Sequence, residues 1–171
     1  MHNKPTLTKS TIATPLGTMI AIADEHALCF LAFNSPKLEK RIDGLLQKNG
    51  AQLSDGTTIA LQSIEKELAA YFCGNLKTFK TPVCLTGSAF QQKSWHRLAQ
   101  VPYGTTQSYG ALASAIDKPS AYRAVAQANG ANNLAIIIPC HRIINANGAL
   151  GGYNAGLERK KWLLAHENSK K

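Results

Sequence analysis

YGALASAIDKPSAYRAVAQAN, residues Tyr109 to Asn129, is the run that decides the fold of the second half of this chain. Tyr109 to Ile116 is expected to be a short helix, with Leu112 and Ile116 four apart on one face. Asp117-Lys118-Pro119-Ser120 breaks it sharply, and Ser120 is placed to cap a further helix ending near Asn129. Two short helices about a brief turn outline a helix-turn-helix.

Charge points the same way. Residues 88–171 hold ten Lys/Arg against three Asp/Glu, a balance of +7, whereas residues 1–87 hold nine against seven, a balance of +2. A negatively charged partner is expected at the C-terminal part. Nucleic acid is the first candidate, although many basic proteins bind none.

Upstream, Gln91 to Gln100 reads as a helix closed by Val101-Pro102-Tyr103-Gly104. Downstream, Ile136-Ile137-Ile138 reads as a buried strand running into Pro139-Cys140-His141-Arg142. A glycine-rich loop, 147–156, leads to an amphipathic helix over about Leu157 to Glu167. On that helix Trp162, Leu163 and Leu164 are expected in the core, and Arg159, Lys160 and Lys161 on a solvated face.

The first half has a different rhythm. Strand-length apolar runs over 8–33, broken at Pro15-Leu16-Gly17 and Asp24-Glu25-His26, read as a β-meander. Helices are expected over 36–48, from Leu38, Ile42, Leu45 and Leu46, and over 58–73, closed by Gly74. Thr81-Pro82 to Gly87-Ser88 reads as a linker. These signals predict two domains, 1–82 and 88–171.

At 171 residues and 44% hydrophobic composition, a buried core is feasible and the composition argues against wholesale disorder. No apolar run is long enough to span a bilayer, and the N-terminal residues lack a signal-peptide core, so a cytoplasmic protein without a membrane partner is expected. The four cysteines, at 29, 73, 84 and 140, form no CxxC pair, and with the five histidines they make no zinc-finger spacing. Reduced thiols and no bound metal are expected.

Cys140 is the candidate nucleophile. It ends an apolar run, with His141 beside it and Arg142 next. A thiol needs a nearby base or cation to become a thiolate, and histidine is the usual base. Glu167 is a candidate to orient that histidine. A cysteine at a strand end is more often a small buried hydrophobe, which is the reading given to Cys29, Cys73 and Cys84.

Ile138-Pro139-Cys140-His141-Arg142-Ile143 resembles the active-site signature of the O6-alkylguanine-DNA alkyltransferases, or methylated-DNA–protein-cysteine methyltransferases. Further motifs in the same order resemble the family: Phe90 to Trp95, Val101 to Gly110, Arg123-Ala124-Val125, Ala128 to Asn132, Gly151-Gly152-Tyr153 and Trp162 to Glu167. The resemblance covers 88–168, more loosely 8–87. It implies an α+β protein, with an N-terminal ribonuclease-H-like α/β domain built on an antiparallel sheet and a C-terminal winged helix-turn-helix domain.

The resemblance also implies roles. Cys140 would accept the alkyl group, His141 would take its proton through a water, Glu167 would hold His141, and Asn132 would brace the active-site turn. Tyr109 would help extrude the damaged nucleotide and assist the departing guanine. Arg123 would fill the gap left in the duplex, and Gln91, Lys118, Ser120 and Tyr122 complete the expected DNA-binding set. Tyr109, Cys140, Ile143, Tyr153 and Asn154 would form the base pocket. Double-stranded DNA carrying O6-alkylguanine would be the partner, O4-alkylthymine a further possible substrate, and a monomer needing no cofactor the working form. The chain departs from the family pattern at Tyr122, where a small residue is usual, at Ala126-Gln127, near a usual glycine, and at Asn133, a usual proline. Two rival readings stand beside it: a non-enzymatic lesion-binding protein, which would carry another residue at position 140, and a cysteine hydrolase, which would leave the basic half unexplained.

Overall fold

The computed structural model describes residues 3–170, which divide into two compact units, Met1–Thr86 and Gly87–Lys171. Each is described by itself.

In the first unit, strands β1 (Thr6–Thr14), β2 (Gly17–Ala23) and β3 (Leu28–Phe33) form the expected antiparallel meander. The β1–β2 turn is closed by Thr14, whose hydroxyl donates to the Gly17 carbonyl at 2.6 Å, with Gly17 at φ 110°. The Asp24 carboxylate accepts from the backbone N–H groups of His26 and Ala27, both at 2.7 Å, and so shapes the second turn.

Helix α1 (Leu38–Asn49) follows and ends at Gly50 in the left-handed region, φ 57°. It starts after Pro36, not at it. Next comes β4 (Gln52–Asp55), which the sequence reading missed. It pairs with β1 in parallel, so the sheet order is β3-β2-β1-β4 and the sheet is mixed, not purely antiparallel. A four-residue strand with three exposed positions leaves almost no hydrophobic alternation to read.

Helix α2 (Ile59–Phe72) starts at Thr58, whose hydroxyl accepts from Leu61 N–H. One sheet face packs Leu7, Ile22, Phe30 and Ala32 against Leu38 and Leu45 of α1. Strand alternation turns Met19, Ala21 and Ala23 to the other face, and α2 contacts β1, β2 and β3. The expected linker is only partly one. Val83 makes a parallel bridge to Leu28, and Glu67 accepts from the backbone N–H groups of Lys80 and Thr81. Cys73 is exposed at the end of α2, unlike the buried cysteine expected there; Cys29 is buried and Cys84 partly so.

In the second unit, α3 (Ala89–Leu98) opens with a capping box. Ser88 Oγ accepts from Gln91 N–H, and Gln91 Oε1 accepts from Ser88 N–H. Strand β5 (Gln107–Ser108) leads into α4 (Tyr109–Ala115), capped by Ser108, and α5 (Tyr122–Gly130) completes the helix-turn-helix. The turn passes through Asp117 at φ 62°. Ser120 does not cap α5: Ala121 holds that position and no side chain bonds the first turn.

The largest error of the sequence reading lies at Ile136-Ile137-Ile138, which is a compact turn and no strand. Ile136 adopts φ 72°, Ile138 N–H donates to Leu134 O at 2.9 Å, and Ile137 N–H donates to Ala135 O at 2.9 Å. A short apolar run buries equally well in a coil, and here Ile136 and Ile138 are buried without any strand. A single 3₁₀ turn, Cys140–Arg142, follows, then β6 (Ile143–Ile144), paired in parallel with β5, and finally α6 (Leu157–Ser169).

Candidate active site

Asn132 fixes the turn that carries Cys140. Its Oδ1 accepts from Leu134 N–H at 2.9 Å, and its Nδ2 donates to Ile138 O at 2.8 Å and to Cys140 Sγ at 3.3 Å. One amide thus clamps both ends of the loop and points a donor at the sulfur. An N–H aimed at sulfur favours the charged thiolate over the thiol.

Cys140 opens the 3₁₀ turn, so His141 and Arg142 diverge from it within one tight coil. Both are buried, and both meet Glu167 of α6. His141 Nε2 lies 2.7 Å from Glu167 Oε1. Arg142 donates through Nε to Oε2 at 2.8 Å and through a terminal nitrogen to Oε1 at 2.9 Å, and its other terminal nitrogen reaches Val101 O at 2.7 Å.

The charges sort themselves. Burial alone would raise the Glu167 carboxyl, but the hydrogen bonds from His141 and Arg142, with the Arg142 charge, outweigh it and hold the group well below the ordinary carboxylate range. Burial pushes His141 below its usual value, and nearby Arg142 and Lys160 push the same way, against the pull of Glu167. Glu167 is therefore the anion, Arg142 its countercharge, and His141 a neutral imidazole. In that state Nε2–H donates to Glu167 and Nδ1 carries the lone pair. Nδ1 is buried and has no hydrogen-bond partner among the described residues, so its lone pair is unused.

An open cleft of about 270 Å³ lies over Cys140, lined also by Tyr109, Ala126, Asn129, Tyr153 and Asn154. Burial, and to a lesser degree the Cys140 sulfur, push the Tyr109 hydroxyl above its usual value, so it keeps its proton and can donate. Asn154 Nδ2 donates to Gly130 O, tying the glycine loop to the end of α5. Gly151 adopts φ 70°, and a Cβ there would meet Asn145 Oδ1 at 3.1 Å and the Tyr109 ring at 3.4 Å. Only glycine lets the loop pass that close to the tyrosine.

The structure brings Cys140, His141, Glu167, Asn132 and Tyr109 into one region, with Tyr153 and Asn154 on the cleft wall. Ile143 is not part of that wall. It is fully buried, and its carbonyl accepts from Lys160 Nζ at 2.6 Å. Arg123, Tyr122, Lys118 and Ser120 lie exposed on the helix-turn-helix, with the Arg123 guanidinium 5.7 Å from the Tyr122 ring centre. Gln91 is partly buried, and its side chain is spent on the α3 cap.

Two site residues escaped the sequence reading. Arg142 was taken only as a neighbouring cation. Lys160 was assigned to a solvated face, yet it is fully buried and its ammonium donates to the carbonyls of Ile143, Leu150 and Gly152. The three carbonyls converge where β6 and the glycine loop turn, and three N–H groups of one ammonium satisfy them. The signal was present: Lys160, Leu163 and Glu167 share one helical stripe, so a buried Glu167 implies a buried Lys160. Trp162 departs the other way, being 36% exposed and stacked on His166 at 4.8 Å.

Residues 89–169 match the family described as 6-O-methylguanine DNA methyltransferase, DNA binding domain, and residues 7–85 match its ribonuclease-like domain. The chain belongs to the methylated-DNA–protein-cysteine methyltransferase family. The relative of that name from Salmonella typhimurium is 39% identical over 166 residues, covering 94% of this chain and 95% of that protein. The one from Methanosarcina acetivorans is 37% identical, covering 91% and 95%. Among solved structures, the Mycobacterium tuberculosis protein OGT in complex with DNA superposes with a TM-score of 0.82 at 36% identity, covering 96% of this chain and 94% of that one. The O6-methylguanine-DNA methyltransferase of Pyrococcus kodakaraensis gives 0.70 at 25% identity, covering 94% and 98%. Membership fixes the architecture: a ribonuclease-like unit followed by a DNA-binding methyltransferase unit.

Among the described residues, no helix is long and apolar enough to cross a membrane, and no group of three or more His, Cys, Asp or Glu is placed to hold a metal ion.

Proposed function

We propose that this chain repairs DNA directly, moving the alkyl group of an O6-alkylguanine onto its own Cys140 once per molecule. The observation that carries this reading is the floor of the cleft, where Cys140 receives an N–H from Asn132 at 3.3 Å while His141, next to it in the same 3₁₀ turn, is buried against Glu167 of α6. Neutral His141 takes the thiol proton at Nδ1 through a water, and the imidazolium formed is stabilised by anionic Glu167. The thiolate attacks the alkyl carbon, so an S–C bond forms as the C–O6 bond breaks. The electron pair goes to the guanine, and the proton of Tyr109, kept in place by burial, offsets the charge on the departing base.

The lesion must leave the duplex to reach the cleft, since its reactive carbon lies on a base edge inside the helix. Exposed Arg123 on α5 is assigned to fill the gap, with Tyr122, Lys118 and Ser120 against the DNA backbone. The thioether is stable and no neighbouring group can reverse it, which makes the reaction stoichiometric. The chain works as a monomer in the cytoplasm without a cofactor.

The deciding experiment is intact-protein mass after mixing with a duplex containing one O6-methylguanine. A gain of one methylene, mapped to Cys140 and saturating at one per protein, is expected. A lesion that is bound but leaves the mass unchanged would instead identify a lesion-sensing protein.

A further inference from the structure

Asn129 stands on α5 with 8% of its surface exposed, and it lines the cleft beside Cys140 and Tyr109. Neither its amide nitrogen nor its amide oxygen has a hydrogen-bond partner among the described residues. A buried amide left unpaired on both sides is costly, and a native fold retains one where something pairs with it. The two α5 residues that share the wall, Ala126 and Gly130, bring no side-chain hydrogen-bonding atoms. The other amide on the cleft, Asn154, has its Nδ2 engaged with Gly130 O. Asn129 is thus the α5 side chain able to read a base.

Resting on the repair reading above, we infer that Asn129 is a specificity-determining residue that recognises the guanine edge through its amide. An amide presents a donor and an acceptor side by side. O6-alkylguanine presents the complement, because its exocyclic amine donates next to ring nitrogens that accept. O4-alkylthymine offers a ring nitrogen next to a carbonyl, two acceptors, so the amide oxygen would face another oxygen. The pairing therefore favours the purine lesion, and a buried polar group rejects the substrate that leaves it unmatched.

The test is a double-substitution cycle between residue and base. Single-turnover methyl transfer is measured for the natural protein and Asn129→Leu, each on O6-methylguanine and on the same lesion lacking the exocyclic amine (O6-methylhypoxanthine). Removing the amine is expected to slow the natural protein about fivefold more than the variant, the scale of one neutral hydrogen bond. The preference for O6-methylguanine over O4-methylthymine should shrink by a similar factor. If Asn129→Leu does not fold, Asn129→Met, which also lacks an amide, carries the same comparison. Equal losses in both proteins would overturn the role of Asn129 while leaving the repair reading intact. Absence of transfer by the natural protein would instead strike the repair reading.

Discussion

His141 Nε2 and Glu167 Oε1 lie 2.7 Å apart, and neither side chain reaches solvent. Glu167 also carries two hydrogen bonds from Arg142, so one carboxylate serves a neutral imidazole and balances a buried guanidinium. Removing its charge has two consequences. In Glu167→Gln the guanidinium loses its countercharge, which should cost roughly 3–5 kcal/mol of stability, read by denaturant unfolding. The imidazolium formed during transfer loses its stabilising anion, which should slow methyl transfer about 100-fold. A variant that reacts slowly at unchanged stability would show that Arg142 finds its balance elsewhere.

The same group predicts how stability responds to acid. Burial holds the folded-state value of His141 below its unfolded value, so protonation favours the unfolded chain. The contribution of neutral His141 is complete above about pH 6.5 and is lost as pH falls through the lower folded value. Glu167, also depressed, contributes above about pH 4.5 and its share is lost further into acid. Stability measured from pH 8 downward should therefore hold nearly level to about pH 6.5, fall, and fall again below about pH 4.5. In His141→Phe the first fall should vanish. If it persists, another histidine titrates there.

Lys160 offers a third prediction. Its ammonium donates to carbonyls of β6 and the glycine loop. Lys160→Met leaves three carbonyls without that donor, at a cost of about 2–4 kcal/mol. Burial lowers the Lys160 ammonium while the Cys140 sulfur pulls it back up, so the two groups sense each other's charge. Alkylation of Cys140 by iodoacetamide at neutral pH should slow several-fold in the variant, because a cation favouring the thiolate is gone. Unchanged iodoacetamide reactivity with reduced stability would restrict Lys160 to holding the loop.

These residues show where sequence is legible and where it is not. Helices α1, α2 and α4 were readable because Leu38 and Leu45, Ile64 and Leu68, and Leu112 and Ile116 recur at helical spacing and fill the cores. The β-meander was readable because turn chemistry at Gly17 and Asp24 separates its apolar runs. Ile136 to Ile138 misled because a short apolar run reports burial and not backbone shape; the left-handed Ile136 has no mark in the sequence. β4 was silent because it is four residues long with three of them exposed, which leaves no apolar pattern to read. At the site, Cys140 and His141 stand out by chemistry. Lys160 did not, because a cation among cations looks solvated until the three carbonyls around it are seen.

Arg123 tests how the lesion reaches the cleft. It sits one turn of α5 before Ala126, exposed, and outside the residues that line the cleft. Its effect should therefore fall on the duplex and not on the chemistry. Extruding a base costs a few kcal/mol, and a side chain filling the vacancy offsets part of that. Arg123→Ala should slow methyl transfer from duplex O6-methylguanine by about 10- to 100-fold and leave the reaction with free O6-methylguanine base unchanged. Salt dependence separates the two ways an arginine can act on DNA. A lost phosphate contact reduces the slope of log affinity against log salt by about 0.9 and slows every duplex alike. A residue filling the stack acts mainly on the transfer rate, and most strongly where the lesion is well paired. Equal slowing of duplex and free base would place Arg123 in the reaction itself, against its position on the exposed face of α5.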